Sequence, residues 1–138
     1  MRVKEIIMAD CCCSSGTKKK TVLIYACSGG ANVAEVADRA ARQLMFDGVG
    51  SMFCLAGLGA GIQGMVQTAK DADLNVVLEG CPMDCAKKIF DNLKLTNYIQ
   101  IKCTDLGMEK AKGVRATDAQ VATLVAKAKE LVAAKEQS

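Results

Sequence analysis

Cys27, Cys54 and Cys81 stand at equal intervals of 27 residues, each near the end of a short apolar run and ahead of a helical pattern. The runs are Thr21-Val22-Leu23-Ile24-Tyr25-Ala26, Gly50-Ser51-Met52-Phe53 and Leu74-Asn75-Val76-Val77-Leu78-Glu79. One thiol therefore marks the same place in three successive strand-helix units. In open α/β sheets ligands bind beyond the carboxyl ends of the strands, where strand order reverses, so these thiols are expected to converge on the binding crevice. Cys85 lies four residues past Cys81, close to one helical turn. Four thiolates suit zinc, which takes tetrahedral sulfur ligands at about 2.3 Å. They also suit an iron–sulfur cluster. The competing reading is that each thiol packs as a small buried hydrophobe.

The rest of the composition narrows the chemistry. The 138 residues include eight cysteines and no histidine. Without histidine the commonest general base is missing, Ser-His and Cys-His pairs are excluded, and a soft-metal site must be built from thiolates. The N-terminal stretch Met1 to Met8 is too short and too charged for a signal peptide, and no apolar run approaches the roughly 20 residues that cross a bilayer. A cytoplasmic location is expected, and there cysteines serve as metal ligands or redox thiols in preference to disulfides. Net charge is +3 and only five residues are aromatic, which argues against nucleic-acid binding. The protein partner, if there is one, is not indicated.

Two further motifs carry possible chemistry. Gly59-Ala60-Gly61-Ile62-Gln63-Gly64 matches G-x-G-x-x-G, with Glu79 placed 20 residues after Gly59 where a ribose-binding acid would stand. Against a dinucleotide site, Cys54 to Leu58 intervene between strand and motif. The plainer reading is a glycine loop that lets the backbone approach a neighbouring site. The other motif is Cys11-Cys12-Cys13, on a polar arm spanning residues 1–20 that ends in Lys18-Lys19-Lys20. Cys103 shares the apolar face of Ile99 and Ile101 and reads as core.

The elements that must position these residues follow from periodicity. A compact domain is expected over 21–138. Helix one begins at Asn32, with a reciprocal cap between Asn32 and Glu35, an apolar stripe of Val33, Val36, Ala37, Ala40 and Leu44, and Gly48 as its stop. Helix two is expected over about 62–72. Helix three is expected to start at Cys81 with Pro82 in its first turn, placing both Cys81 and Cys85 at a helix N-terminus. Tyr98 to Cys103 alternates and reads as an edge strand. The last helix opens on a Thr117–Gln120 capping box. Strands alternating with helices predict an α/β three-layer sandwich, flavodoxin/Rossmann-like, with a parallel four-stranded sheet in order 2-1-3-4.

Tyr25-Ala26-Cys27-Ser28-Gly29-Gly30, Met52-Phe53-Cys54-Leu55-Ala56-Gly57, Glu79-Gly80-Cys81-Pro82-Met83-Asp84-Cys85-Ala86-Lys87-Lys88 and Thr104-Asp105-Leu106-Gly107 resemble the DGC-domain family, over roughly residues 21–112. The resemblance implies that Cys27, Cys54, Cys81 and Cys85 are the cysteines for which zinc binding has been proposed. The family's Asp-Gly-Cys begins here with Glu79, which keeps the charge on a longer side chain. The expectation is a cytosolic protein holding one zinc through these four thiolates. A thiol, redox or metal-dependent enzyme using Cys81 or Cys85 stands as the alternative, with dinucleotide binding through Gly59–Gly64 behind it. Whether the protein catalyses a reaction is left open.

Overall fold

The computed structural model describes residues 18–138; Cys11–Cys13 and the rest of 1–17 lie outside the described residues. Four strands alternate with helices: β1 (Val22–Ala26), α1 (Asn32–Phe46), β2 (Ser51–Met52), α2 (Leu55–Gly59), α3 (Gln63–Asp71), β3 (Leu74–Glu79), α4 (Cys85–Asn92), β4 (Tyr98–Lys102) and α5 (Asp118–Glu136). The sheet is parallel throughout, in the order β2-β1-β3-β4. The expected α/β class and strand order are observed.

Residue alternation splits the core between the two faces. Val22 and Ile24 of β1, Val76 and Leu78 of β3 and Ile101 of β4 pack against α1 and α5, with Val33, Val36, Ala37, Ala40 and Leu44 forming the buried stripe of α1. Leu23, Tyr25 and Val77 face the other layer, where Leu58, Ala69, Ala86 and Phe90 come from α2, α3 and α4. Tyr25 stacks edge-on against Phe53 and Phe90, at centroid separations of 5.9 and 5.1 Å. Its hydroxyl is buried with no hydrogen-bond partner among the described residues.

Helix α1 therefore lies on one face and the three helices that follow it on the other, so the chain changes sides between β1 and β3. These are adjacent strands, paired from Val22–Leu74 to Ala26–Leu78. This is the switch point at which a crevice opens beyond the carboxyl ends of the strands.

Three local expectations are corrected. The N-cap of α1 is Ala31, with no side-chain cap bond; Asn32 and Glu35 form no reciprocal box. Instead the Asn32 Nδ2 donates to the Glu109 carbonyl at 2.9 Å, its Oδ1 accepts from the Ala111 amide at 2.7 Å, and Glu35 accepts from the Ala116 amide at 2.9 Å. Helix α4 begins at Cys85, four residues later than expected, because Asp84 adopts a left-handed conformation (φ 52°, ψ 41°) that breaks the helix before it. The stretch between β2 and the glycine motif folds into the short helix α2. The Thr117–Gln120 box is present, and Gly48 follows the C-cap of α1 with φ +77°.

Candidate thiol and metal centre

Cys27 follows the last residue of β1 and is tied to β3 through its amide, which donates to the Leu78 carbonyl at 3.0 Å. Its Sγ accepts a hydrogen bond from the Gly80 amide at 3.0 Å. Burial pushes the Cys27 thiol up to about 11; the Gly80 bond opposes this, and the negative neighbours Glu79, Cys81 and Cys85 add to it. Gly80 is needed for close approach: a Cβ there would stand 3.1 Å from the backbone of Val33 and Ala34, at the start of α1.

Cys81 and Cys85 bracket the turn after β3. Cys85 is the first residue of α4, half a turn from the amides that Glu79 satisfies: Glu79 Oε1 accepts from the Lys87 amide at 2.8 Å. Glu79 is 1% exposed, and burial raises its carboxyl above the usual range despite the bonds from Lys87, Ala86 and Gln100. The outer side of the turn is held through Asp84, whose Oδ1 accepts from Gln100 Nε2 at 2.9 Å and pairs with Lys102 Nζ at 3.1 Å. Gln100 and Lys102 share one face of β4, the polar alternation seen in the sequence.

Cys27, Cys81 and Cys85 line one cavity of about 370 Å³ at the switch point. Its walls also include the Ser28–Gly30 loop, Val33, Leu55 and Met83, with Lys110 and Lys112 at its rim. Lys110 Nζ stands 3.4 Å from Cys81 Sγ. Both lysines ride on the segment 109–113, which is pinned across the start of α1 by the Asn32 bonds, an antiparallel bridge between Ala31 and Lys112, and the Gly113 amide on the Gly30 carbonyl at 3.3 Å.

Cys54 is placed apart. It does not line this cavity; it caps α2, its Sγ accepting from the Gly57 amide at 3.4 Å. All five cysteines among the described residues are free thiols, and Cys103 is buried beneath α1 as expected. No group of three or more Cys, Asp or Glu among the described residues is gathered closely enough to hold a metal ion. The donor chemistry, three soft thiols facing one space, fits a thiophilic metal.

The sequence match settles the family. A DGC domain model matches residues 23–128. This chain belongs to the DGC domain family. It is 31% identical over 91 residues to the anaerobic and virulence modulator AnvM of Pseudomonas aeruginosa strain PAO1, an alignment covering 66% of this chain and 70% of the relative. No solved structure matches. The matched region takes in the whole sheet except Val22, and all of Cys27, Cys54, Cys81 and Cys85.

The glycine motif occupies a different setting from a dinucleotide fingerprint. Gly59 ends α2, Gly61 turns the chain with φ +68°, and Gly64 is already inside α3. Glu79, the matching acid, is committed to the α4 amides. What sequence reasoning missed was Lys110 and Lys112: they follow the last strand by several residues, and only the distant Asn32 bonds bring them to the cavity. Among the described residues no helix is long and apolar enough to cross a membrane.

Proposed function

We propose that this DGC domain is a cytosolic metal-binding protein that holds one zinc ion through Cys27, Cys81 and Cys85, with Cys54 as the fourth ligand. The observation that carries this reading is the convergence of three thiols, from the ends of β1 and β3 and the start of α4, on one cavity at the strand-order reversal. Free thiols and the absence of histidine from the sequence support it. Zinc bound there would neutralise the thiolates and tie β1, β3 and α4 together. Cys54 would join the set only by giving up its bond to the Gly57 amide, and loading would draw the other thiols closer than they stand here.

Metal stoichiometry of anaerobically purified protein tests the reading. One tightly held zinc is expected, lost on Cys27→Ser, Cys81→Ser or Cys85→Ser and kept on Cys103→Ser. Full zinc in both Cys81→Ser and Cys85→Ser refutes it, and a coloured protein containing iron replaces zinc with an iron–sulfur cluster.

A second reading rests on one contact. Lys110 Nζ stands beside Cys81 Sγ at the cavity, an arrangement that suits a thiol enzyme with Cys81 as nucleophile. Metal-free protein whose Cys81 reacts with iodoacetamide much faster than the more exposed Cys54 supports this reading over the first.

A further inference from the structure

The cavity at the switch point combines aliphatic walls with a cationic rim. Its volume of about 370 Å³ falls within the range of small-molecule sites. Ala31, Val33 and Ala34 from the start of α1, Leu55 from α2 and Met83 from the turn before α4 form the walls, and no aromatic side chain among the described residues lines it. Met83 is 59% exposed, an unbranched apolar side chain left in water at the cavity. At the rim, neither Lys110 nor Lys112 pairs with a carboxylate among the described residues. Lys110 Nζ spends one donor on Cys81 Sγ, at 3.4 Å, and an ammonium has three. Bonds to Asn32, Ala31 and Gly30 hold the segment that carries both lysines, so the two charges are prepositioned.

One acidic group faces the same space and sets the polarity of what can enter. Glu79 lines the cavity from the end of β3, 1% exposed, with Oε1 accepting from the Lys87 amide at 2.8 Å. Committed to α4, it leaves both lysines unpaired and keeps a negative charge on the inner side. A ligand's anionic group is therefore drawn to the rim and repelled from the interior. The part that passes the rim must be neutral, and the walls favour an alkyl chain over a polar one. Cys27, Cys81 and Cys85, as free thiols, meet such a chain as small hydrophobes. We propose that the cavity binds a short aliphatic monocarboxylate, its carboxylate on Lys110 and Lys112, its alkyl chain against Val33, Leu55 and Met83, and a second carboxylate at the far end excluded by Glu79. This site goes beyond the metal-centre reading and does not rest on it: no metal ion and no bond to a cysteine takes part. No covalent bond is made or broken.

Calorimetric titration of the full, reduced chain tests this with hexanoate as probe. Acetate lacks the alkyl chain, hexanol lacks the charge, and adipate adds a second carboxylate at the other end. Hexanoate is expected to bind about tenfold or more tighter than each of the three. Lys110→Ala combined with Lys112→Ala is expected to weaken hexanoate by about tenfold, and Met83→Ser by about threefold. All three side chains are exposed, so the fold tolerates their loss. Glu79→Gln removes the inner charge and is expected to bring adipate closer to hexanoate. Equal binding of hexanoate and acetate, equal binding of hexanoate and adipate, or binding indifferent to both lysine substitutions overturns the proposal. The two readings fail separately: zinc content, measured on every sample, judges the metal centre, and a lysine-dependent preference for hexanoate judges this site.

Discussion

The Glu79 carboxylate caps a helix to which it does not belong. It reaches from the end of β3 to the Lys87 amide, 2.8 Å away, and serves the first turn of α4 while Asp84, at the cap position, is turned outward to Gln100 and Lys102. Removing it leaves buried amides unpaired at the helix carrying Cys85. Glu79→Ala is expected to lower stability by about 1–3 kcal/mol in urea denaturation, and Glu79→Gln, which keeps an acceptor oxygen, by less. Equal losses for the two variants would assign the effect to charge in place of capping.

Gly80 lies against the backbone of Val33 and Ala34, where a Cβ would stand at 3.1 Å. A helix start anchored by the Asn32 bonds has little room to yield. Gly80→Ala is expected to destabilise the fold by about 1–3 kcal/mol, the usual cost of overpacking. It should also shift the amide resonances of residues 31–34 in nuclear magnetic resonance spectra. Unchanged spectra and stability would mean that α1 gives way freely.

Tyr25 presents the opposite case, a polar atom that the core does not use. Its hydroxyl has no partner among the described residues, and burial pushes its pKa up. Tyr25→Phe keeps the edge-on contacts with Phe53 and Phe90 and removes the unpaired group. Melting temperature is expected to rise, in line with a gain of about 1 kcal/mol or more. A fall would reveal a bridging water at the hydroxyl.

Cys103 sets a pH dependence. Burial pushes its thiol from 9.0 up to about 12, so across that window the folded chain binds more protons than the unfolded one. Its contribution to stability is fully present below about pH 9 and is lost as pH rises toward about 12. Cys103→Ala is expected to flatten the alkaline decline in urea midpoints above about pH 9, and the native protein to protect Cys103 from alkylation until it unfolds. Rapid labelling of Cys103 under native conditions would contradict both expectations.

The strand order and the stripes of α1 and α5 were legible because they are encoded in neighbouring residues. Alternation in β4 put Gln100 and Lys102 on one face, and that face meets Asp84. What escaped notice depends on distant partners. Asn32 looks like a cap until the Glu109 carbonyl, 77 residues away, competes for its amide. Pro82 satisfies the rule for a first helical turn, yet Asp84 breaks that helix and Glu79 caps the later one from eight residues upstream. Helix α2 has only five residues, two of them glycine, and so shows no periodicity. The equal spacing of Cys27, Cys54 and Cys81 foretold their chain positions but not that Cys54 would bond to Gly57 and leave three thiols on the cavity.

The clasp between Asn32 and segment 109–111 also sets an order in time. Its bonds join residues 77 and 79 positions apart, whereas the thiols come from strands already paired once β3 is in place. A chain emerging from its N-terminal end can therefore bring Cys27, Cys81 and Cys85 together before the lysine wall exists. For the interval in which segment 109–113 is still being made, the sulfur-lined crevice stands open on one side.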